Sequence, residues 1–310
     1  MNLREYAEIP ERELIERINK GKIEKNILIL AHNYARPEVQ RVADHVGDSL
    51  ELSRIARDTD KSTILFAGVL FMAETAKILS PEKTILLPDP TATCPMAAEA
   101  AFQDVLQCRK ENPDAKFVTY VNSTAEVKSL SDLCCTSSNS VQVVESIPDD
   151  KIVFMPDKNL GRYTENMTGR DLILWDGMCY VHAMIDHTLI DSARELYPDA
   201  VIIVHPECPE KVTDKADLVG STGFMYKYAK ENPDKKIILG TEVGMVERIR
   251  EEFPDIWIKP LKPNAVCSNM KLNTLPKMLR SIEEGVFEVK LDQDIIEGAQ
   301  AALEAMVAIG

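Results

Sequence analysis

Continuous apolar runs that end in polar residues recur along this chain. ILILAHNY spans 27–34, KFVTYVNS spans 116–123 and AVIIVHPE spans 200–207; aligning His32, Asn122 and His205 sets them 90 and 83 residues apart. A run without alternation suits a strand buried on both faces of a parallel sheet. A second set, ADHVGDS, SDLCCTS and ADLVGST, ends at Ser49, Ser137 and Thr222, 88 and 85 apart, and leads into the helical stretches LELSRIARD, SNSVQVVESI and GFMYKYAKE. In a third set, TILFAG, KIVFMP and KIILGT, Leu65, Val153 and Ile238 keep the spacing of 88 and 85. The fourth set is TILLPDPTATC, LILWDGMC and IWIKPLKPNAVC. Each is a β-rich run with a loop that delivers one cysteine, and Cys94, Cys179 and Cys267 lie 85 and 88 apart.

Four features in one order at nearly one period define an internal repeat. Pro-Asp turns precede several of the runs, at Pro113-Asp114, Pro148-Asp149, Pro198-Asp199, Pro233-Asp234 and Pro254-Asp255. The pattern predicts an α/β fold: three similar α/β/α lobes with parallel sheets, in a pseudo-threefold arrangement around a central active site. The lobes are expected at 1–98 (with an N-terminal helix), 99–183 and 184–270, and 271–310 as C-terminal helices packing back on them. Residues 11–20 read as a short amphipathic helix with Leu14, Ile15 and Ile18 on one side. Residues 293–309 read as another, with Ile295, Ile296, Ala299, Leu303, Met306 and Val307 inward.

Composition narrows the function. The chain has 310 residues, 45% hydrophobic and 28% charged, with a net charge of −14. That balance argues against binding a phosphate backbone, hence against nucleic acid. Apolar runs of about eight residues are too short to span a bilayer, and the charged N-terminus has no signal core. A cytoplasmic location is expected, without a membrane partner. The seven cysteines are then poor disulfide candidates. No CxxC pair exists, so any metal site is assembled from distant segments.

In parallel sheets ligands gather at the carboxyl ends of the strands, where the unusual residues of each repeat lie. One cysteine per lobe at Cys94, Cys179 and Cys267 reads as a three-thiolate metal site, because burial alone gives no reason to repeat the residue. Three thiolates are one short of a closed structural zinc site, yet they can hold a [4Fe–4S] cluster with one iron open as a Lewis acid. Cys108, Cys134, Cys135 and Cys208 do not recur and read as packing. Ser49, Ser137 and Thr222 sit at helix starts, as plain N-caps or as anion-binding sites. His32 and His205 end matching strands beside Tyr34 and Glu207, which suits acid–base work or carboxylate binding. His182 follows Cys179 by three residues, whereas His45 and His187 are placed in helical stretches with structural roles. There is neither a GxGxxG motif nor a P-loop.

These segments together resemble the quinolinate synthase family. The matching stretches are AHNYARPEVQ, VGDSLELSR, FMAETAKIL, PDPTATCPMA, YVNSTAEVKSLSD, CTSSNS, PDKNLG, IVHPECPEKVTDKADLVGSTG, GTEVGM and AVCSNMKLNTL, from residue 31 to residue 275. The resemblance implies an iron–sulfur enzyme of NAD biosynthesis with three pseudo-symmetric lobes. Its small-molecule substrates would be iminoaspartate and dihydroxyacetone phosphate, condensed to quinolinate with loss of phosphate and two waters. It implies a [4Fe–4S] cluster on Cys94, Cys179 and Cys267. Substrate contacts are implied at His32, Ser49, Tyr120, Val121, Asn122, Ser137, His205, Pro206, Glu207 and Thr222. Catalytic roles fall to Glu207, Tyr34, Tyr120 and His205. Because iminoaspartate is unstable, an aspartate oxidase or dehydrogenase is an expected functional partner. The chain departs from some members at Tyr180, where they carry proline after the second cysteine, and in having no second thiol beside Cys267. A zinc-dependent hydrolase or aldolase, or a non-catalytic iron–sulfur ligand sensor, are the other classes the residues allow.

Overall fold

The computed structural model describes residues 2–309. It contains three four-stranded, all-parallel sheets, each in the order second–first–third–fourth strand. The first sheet holds β1 (Ile27–His32), β2 (His45–Gly47), β3 (Thr63–Ala67) and β4 (Thr84–Leu86). The second holds β5 (Lys116–Tyr120), β6 (Leu133–Cys135), β7 (Ile152–Met155) and β8 (Leu172–Leu174). The third holds β9 (Val201–Val204), β10 (Leu218–Val219), β11 (Ile237–Gly240) and β12 (Ile258–Pro260). Helices separate the strands throughout, so the chain is an α/β protein of three similar lobes. No helix among the described residues is long and apolar enough to cross a membrane.

The central strands are buried along almost their whole length, because helices cover both faces of each sheet. One apolar cluster joins the three lobes: it includes Leu28 and Leu30 from the first, Val118 and Phe154 from the second, and Ile203 and Leu239 from the third. The opposite faces have separate clusters, one per lobe. The sheets therefore share an inner core and keep private outer ones.

The strands β2, β6 and β10 are an addition to the three per lobe read from sequence. They have only two or three residues each, too few for a periodicity to register, and His45 is an exposed residue of β2 rather than a helical one. A repeated side-chain device pins them. Asp44, Asp132 and Asp217 each accept the N–H of the neighbouring central strand (Ile29, Phe117 and Ile202) at 2.8 Å. The same carboxylates take Lys22, Arg109 and Arg194, all at 2.9 Å, from the helix before the first strand.

The helix Glu11–Glu24 and the helix Leu275–Glu284 pack together on the outer face of the first sheet, burying Leu14, Ile18, Met278 and Leu279. The helix Gln293–Ala308 buries Ile296, Ala299, Ala302, Leu303, Met306 and Val307 in the shared core. Its end is tied by Asn139 Nδ2, which donates to the carbonyls of Met306 and Ile309 at 2.9 and 2.8 Å.

Candidate active site

Strand register decides which residues are equivalent. Ile29, Phe117 and Ile202 pair with Leu65, Val153 and Ile238. Three residues on, the matching positions are His32, Tyr120 and His205, at the spacing of 88 and 85 seen elsewhere. Asn122, aligned with the histidines from sequence, belongs two residues further along with Tyr34 and Glu207. The strand ends thus present two tiers, His32/Tyr120/His205 and Tyr34/Asn122/Glu207, and all six line one cavity. Side chains alternate along an extended chain, so the intervening Asn33, Val121 and Pro206 turn away. Val121 and Pro206 are buried but are absent from the cavity wall. Asn33 instead donates to Thr222 Oγ1 at 2.8 Å and accepts from Arg248.

The cavity holds about 690 Å³ of space free of protein atoms, its mouth included, and Ser49, Ser137, Thr222, Cys94, Cys179 and Cys267 also line it. Ser49 and Thr222 are first helical residues, not caps. Capping is done by the preceding Asp48 and Ser221, whose side chains accept from the Glu51 and Phe224 amides. The helix after Ser137 starts only at Ser140, behind Asn139. The hydroxyls of Ser49, Ser137 and Thr222 are thus not used for capping. Among the described lining residues there is no lysine or arginine; anions must be met by neutral N–H and O–H donors and by helix N-termini.

The histidines fit that role. The amide of Tyr34 donates to His32 Nδ1 at 3.1 Å, and the amide of Glu207 donates to His205 Nδ1 at 3.3 Å. In both rings Nδ1 is then the acceptor and Nε2 carries the proton. His205 Nε2 lies 3.2 Å from Ser137 Oγ. Burial holds His32 down at about 4 and His205 at about 3, against the attraction of nearby carboxylates, so both are neutral near pH 7.

Glu207 and His182, each almost fully buried, form the centre of a hydrogen-bond chain. Glu207 accepts from the Tyr120 hydroxyl, and its other oxygen lies 2.7 Å from His182 Nδ1. With Nδ1 as donor, His182 Nε2 accepts from Thr241 Oγ1 at 2.9 Å, and Thr241 Oγ1 accepts from the Tyr34 hydroxyl at 2.5 Å. The His182 ring also stacks on His205, centroids 4.5 Å apart. Burial alone would raise the Glu207 pKa, but the adjacent His182 and His205 and the Tyr120 hydroxyl outweigh it and hold Glu207 well below the usual carboxylate range. Burial, with Glu207 nearby, pushes the Tyr34 and Tyr120 hydroxyls well above their ordinary value. His182 and Thr241 were not in the predicted site. The signal for His182 was its spacing of three from Cys179, which places both on one helical turn.

Each cysteine opens a single turn: Cys94 before Met96–Ala98, Cys179 before Tyr180–Ala183, and Cys267 before Met270–Leu272. In all three the amide three residues on (Ala97, His182, Met270) bonds back to the cysteine. Burial pushes the Cys94 thiol up to about 12 and raises Cys179 and Cys267. Three thiols that share a cavity and receive N–H donors, yet resist ionisation in the metal-free chain, fit a cationic metal centre that would stabilise the thiolates. Donor atoms of Cys179, His182 and Glu207 also lie within 4.8 Å of one another. Cys134, Cys135 and Cys208 are buried elsewhere.

Fold and site together define a three-lobed α/β enzyme with a central small-molecule cavity and donors suited to a metal cofactor. The family model described as NadA, quinolinate synthetase A protein, matches residues 16–308, and the chain belongs to that family. It is 46% identical over 295 residues to the quinolinate synthase of Thermotoga maritima, covering 94% of this chain and 98% of the relative. It is 47% identical over 299 residues to that of Dehalococcoides mccartyi strain CBDB1, covering 96% and 99%. With that of Clostridium acetobutylicum it shares 45% over 302 residues, covering 97% and 99%.

Proposed function

We propose that this chain condenses iminoaspartate with dihydroxyacetone phosphate to quinolinate, releasing phosphate and two waters. The observation that carries the reading is the convergence of Cys94, Cys179 and Cys267 on the same cavity as the Glu207–His182–Thr241–Tyr34 chain. The Nε2–H groups of His32 and His205 and the hydroxyls of Ser49, Ser137 and Thr222 bind the substrates' carboxylates and phosphate. Asn122 orients the substrate from the second tier. Glu207, kept ionised, is the general base for carbon–carbon bond formation and phosphate loss. The Tyr34 hydroxyl exchanges protons with the substrate during isomerisation and ring closure, and Thr241 and His182 return them to Glu207. Tyr120 holds Glu207 in register and gives or takes a proton on the opposite side.

The fitting cofactor is a [4Fe–4S] cluster held by Cys94, Cys179 and Cys267. When bound it supplies an iron without a protein ligand, a Lewis acid for a substrate oxygen lost as water. The protein works in the cytoplasm, and an aspartate oxidase or dehydrogenase supplies the imine, which hydrolyses in water.

A second reading, zinc at Cys179, His182 and Glu207, draws on their mutual distance within 4.8 Å and would serve a hydrolase or aldolase. The test is anaerobic purification with assay of iron, sulfide and visible absorbance, followed by the quinolinate assay. A brown protein with about four irons and four sulfides that makes quinolinate supports the proposal. Turnover excludes a pure iron–sulfur sensor. A colourless, zinc-loaded protein after reconstitution with iron and sulfide moves the second reading to the front.

A further inference from the structure

The three cysteine loops are held in two different ways. In every lobe the backbone carbonyl two residues before the cysteine accepts an amide from the start of the helix after the third strand. The pairs are Leu70 to Ala92, Lys158 to Gly177 and Val243 to Ala265, at 2.7, 2.8 and 2.9 Å. Two lobes add a carboxylate. Asp157 takes the Leu160 amide on one oxygen at 2.8 Å and the Cys179 amide on the other at 3.0 Å. Glu242 takes the Gly244 amide on one oxygen at 2.7 Å and the Cys267 amide on the other at 3.2 Å. Both residues are 0% exposed. At the spacing of the repeat, the first-lobe counterpart is Val69, a cavity-lining residue with no side-chain acceptor. The Cys94 loop is braced from outside the repeats instead, by Lys277 on Asp89.

We propose that Asp157 and Glu242 are matched positioning residues: each clips one cysteine, Cys179 or Cys267, to the helix beside it and sets its sulfur for the metal centre. The chemistry requires a carboxylate, because only it offers two acceptor oxygens in one plane. An amide of equal size offers one oxygen and one NH2, so either the helix amide or the cysteine amide loses its partner in a buried place. Glu242 is also ion-paired with Lys271, Nζ to Oε1 3.2 Å. The proposal rests on the three-cysteine reading.

The test uses full-length Asp157→Asn and Glu242→Gln proteins, purified without oxygen. Each is challenged with a chelator and iodoacetamide, and labelling of every cysteine is followed by mass spectrometry. Loss of one buried bond to a clip should speed labelling of Cys179 about tenfold in Asp157→Asn and of Cys267 about tenfold in Glu242→Gln. Cys94 should be unchanged in both. Unchanged labelling overturns the proposal, and so does a rise at all three cysteines together, which means general loosening. If one variant does not fold, the other still reads out on its own cysteine. A wild type that binds no iron would sink the cluster reading, while labelling of the metal-free chains would still decide the clips.

Discussion

Glu207→Gln isolates the proposed base from its surroundings. The two side chains have the same shape, so no cavity opens in a site where Glu207 is 3% exposed. The hydrogen bonds do change. The substituted amide can still accept from Tyr120 through its oxygen, but its NH2 then faces His182 Nδ1, which lies 2.7 Å from the original carboxylate oxygen. His182 must switch to the other tautomer and donate from Nε2 to Thr241, which reverses the chain toward Tyr34. The protein keeps most of its bonds and loses the acceptor of the substrate proton. General-base catalysis contributes about 10²–10⁴-fold, equivalent to about 2.7–5.4 kcal/mol of barrier at 1.36 kcal/mol per tenfold. Quinolinate formation at saturating substrates, measured anaerobically on protein matched for iron content, should fall by that factor with KM little changed. The thermal unfolding midpoint should stay near that of the wild type. A kcat within about threefold of wild type, far short of the range above, would refute the assignment of Glu207 as base.

Other outcomes follow from the same geometry. His32 and His205 are held at about 4 and about 3 when folded and titrate near 6.5 when unfolded. Between these values the unfolded chain binds more protons, so stability rises with pH from about 4 to about 6.5. Near pH 5 the slope from the two together should approach about 2.7 kcal/mol per pH unit; urea unfolding of wild type and the His32→Asn, His205→Asn double variant should differ by that slope, and equal slopes would remove the histidines from the account. Cys94→Ala should lose iron, sulfide and visible colour together while its far-ultraviolet circular dichroism stays native, since two thiolates do not retain a cluster; full iron content would overturn its role as a ligand. Leu303→Ala, at a fully buried position in the shared core, should cost about 2–5 kcal/mol in urea unfolding; a cost under about 1 kcal/mol would mean the C-terminal helix is not an integral part of that core.

Much of the architecture was legible in the sequence because the chain states it three times. The central strands read as continuous apolar runs, since helices on both faces leave no polar side to alternate. The cysteines stood out because a buried residue need not recur, and these do. The edge strands β2, β6 and β10 escaped because two or three residues carry no period. Asp44, Asp132 and Asp217, which pin those strands, were visible as letters at the repeat spacing without any sign of what they bond.

The sequence by itself determined the lobes, their number and which strand ends face inward, because those follow from local hydrophobic pattern and its repetition. Only the tertiary structure decided the chemistry of the site. Register moved Tyr120 level with the two histidines and set Asn122 beside Tyr34 and Glu207, and a shift of two residues is invisible to composition. Alternation along the strand end turned Val121 and Pro206 away from the cavity. Burial by all three lobes at once made His32 and His205 neutral donors. Contact between lobes joined Glu207 and His182 to Thr241 and Tyr34, residues that no local spacing connects.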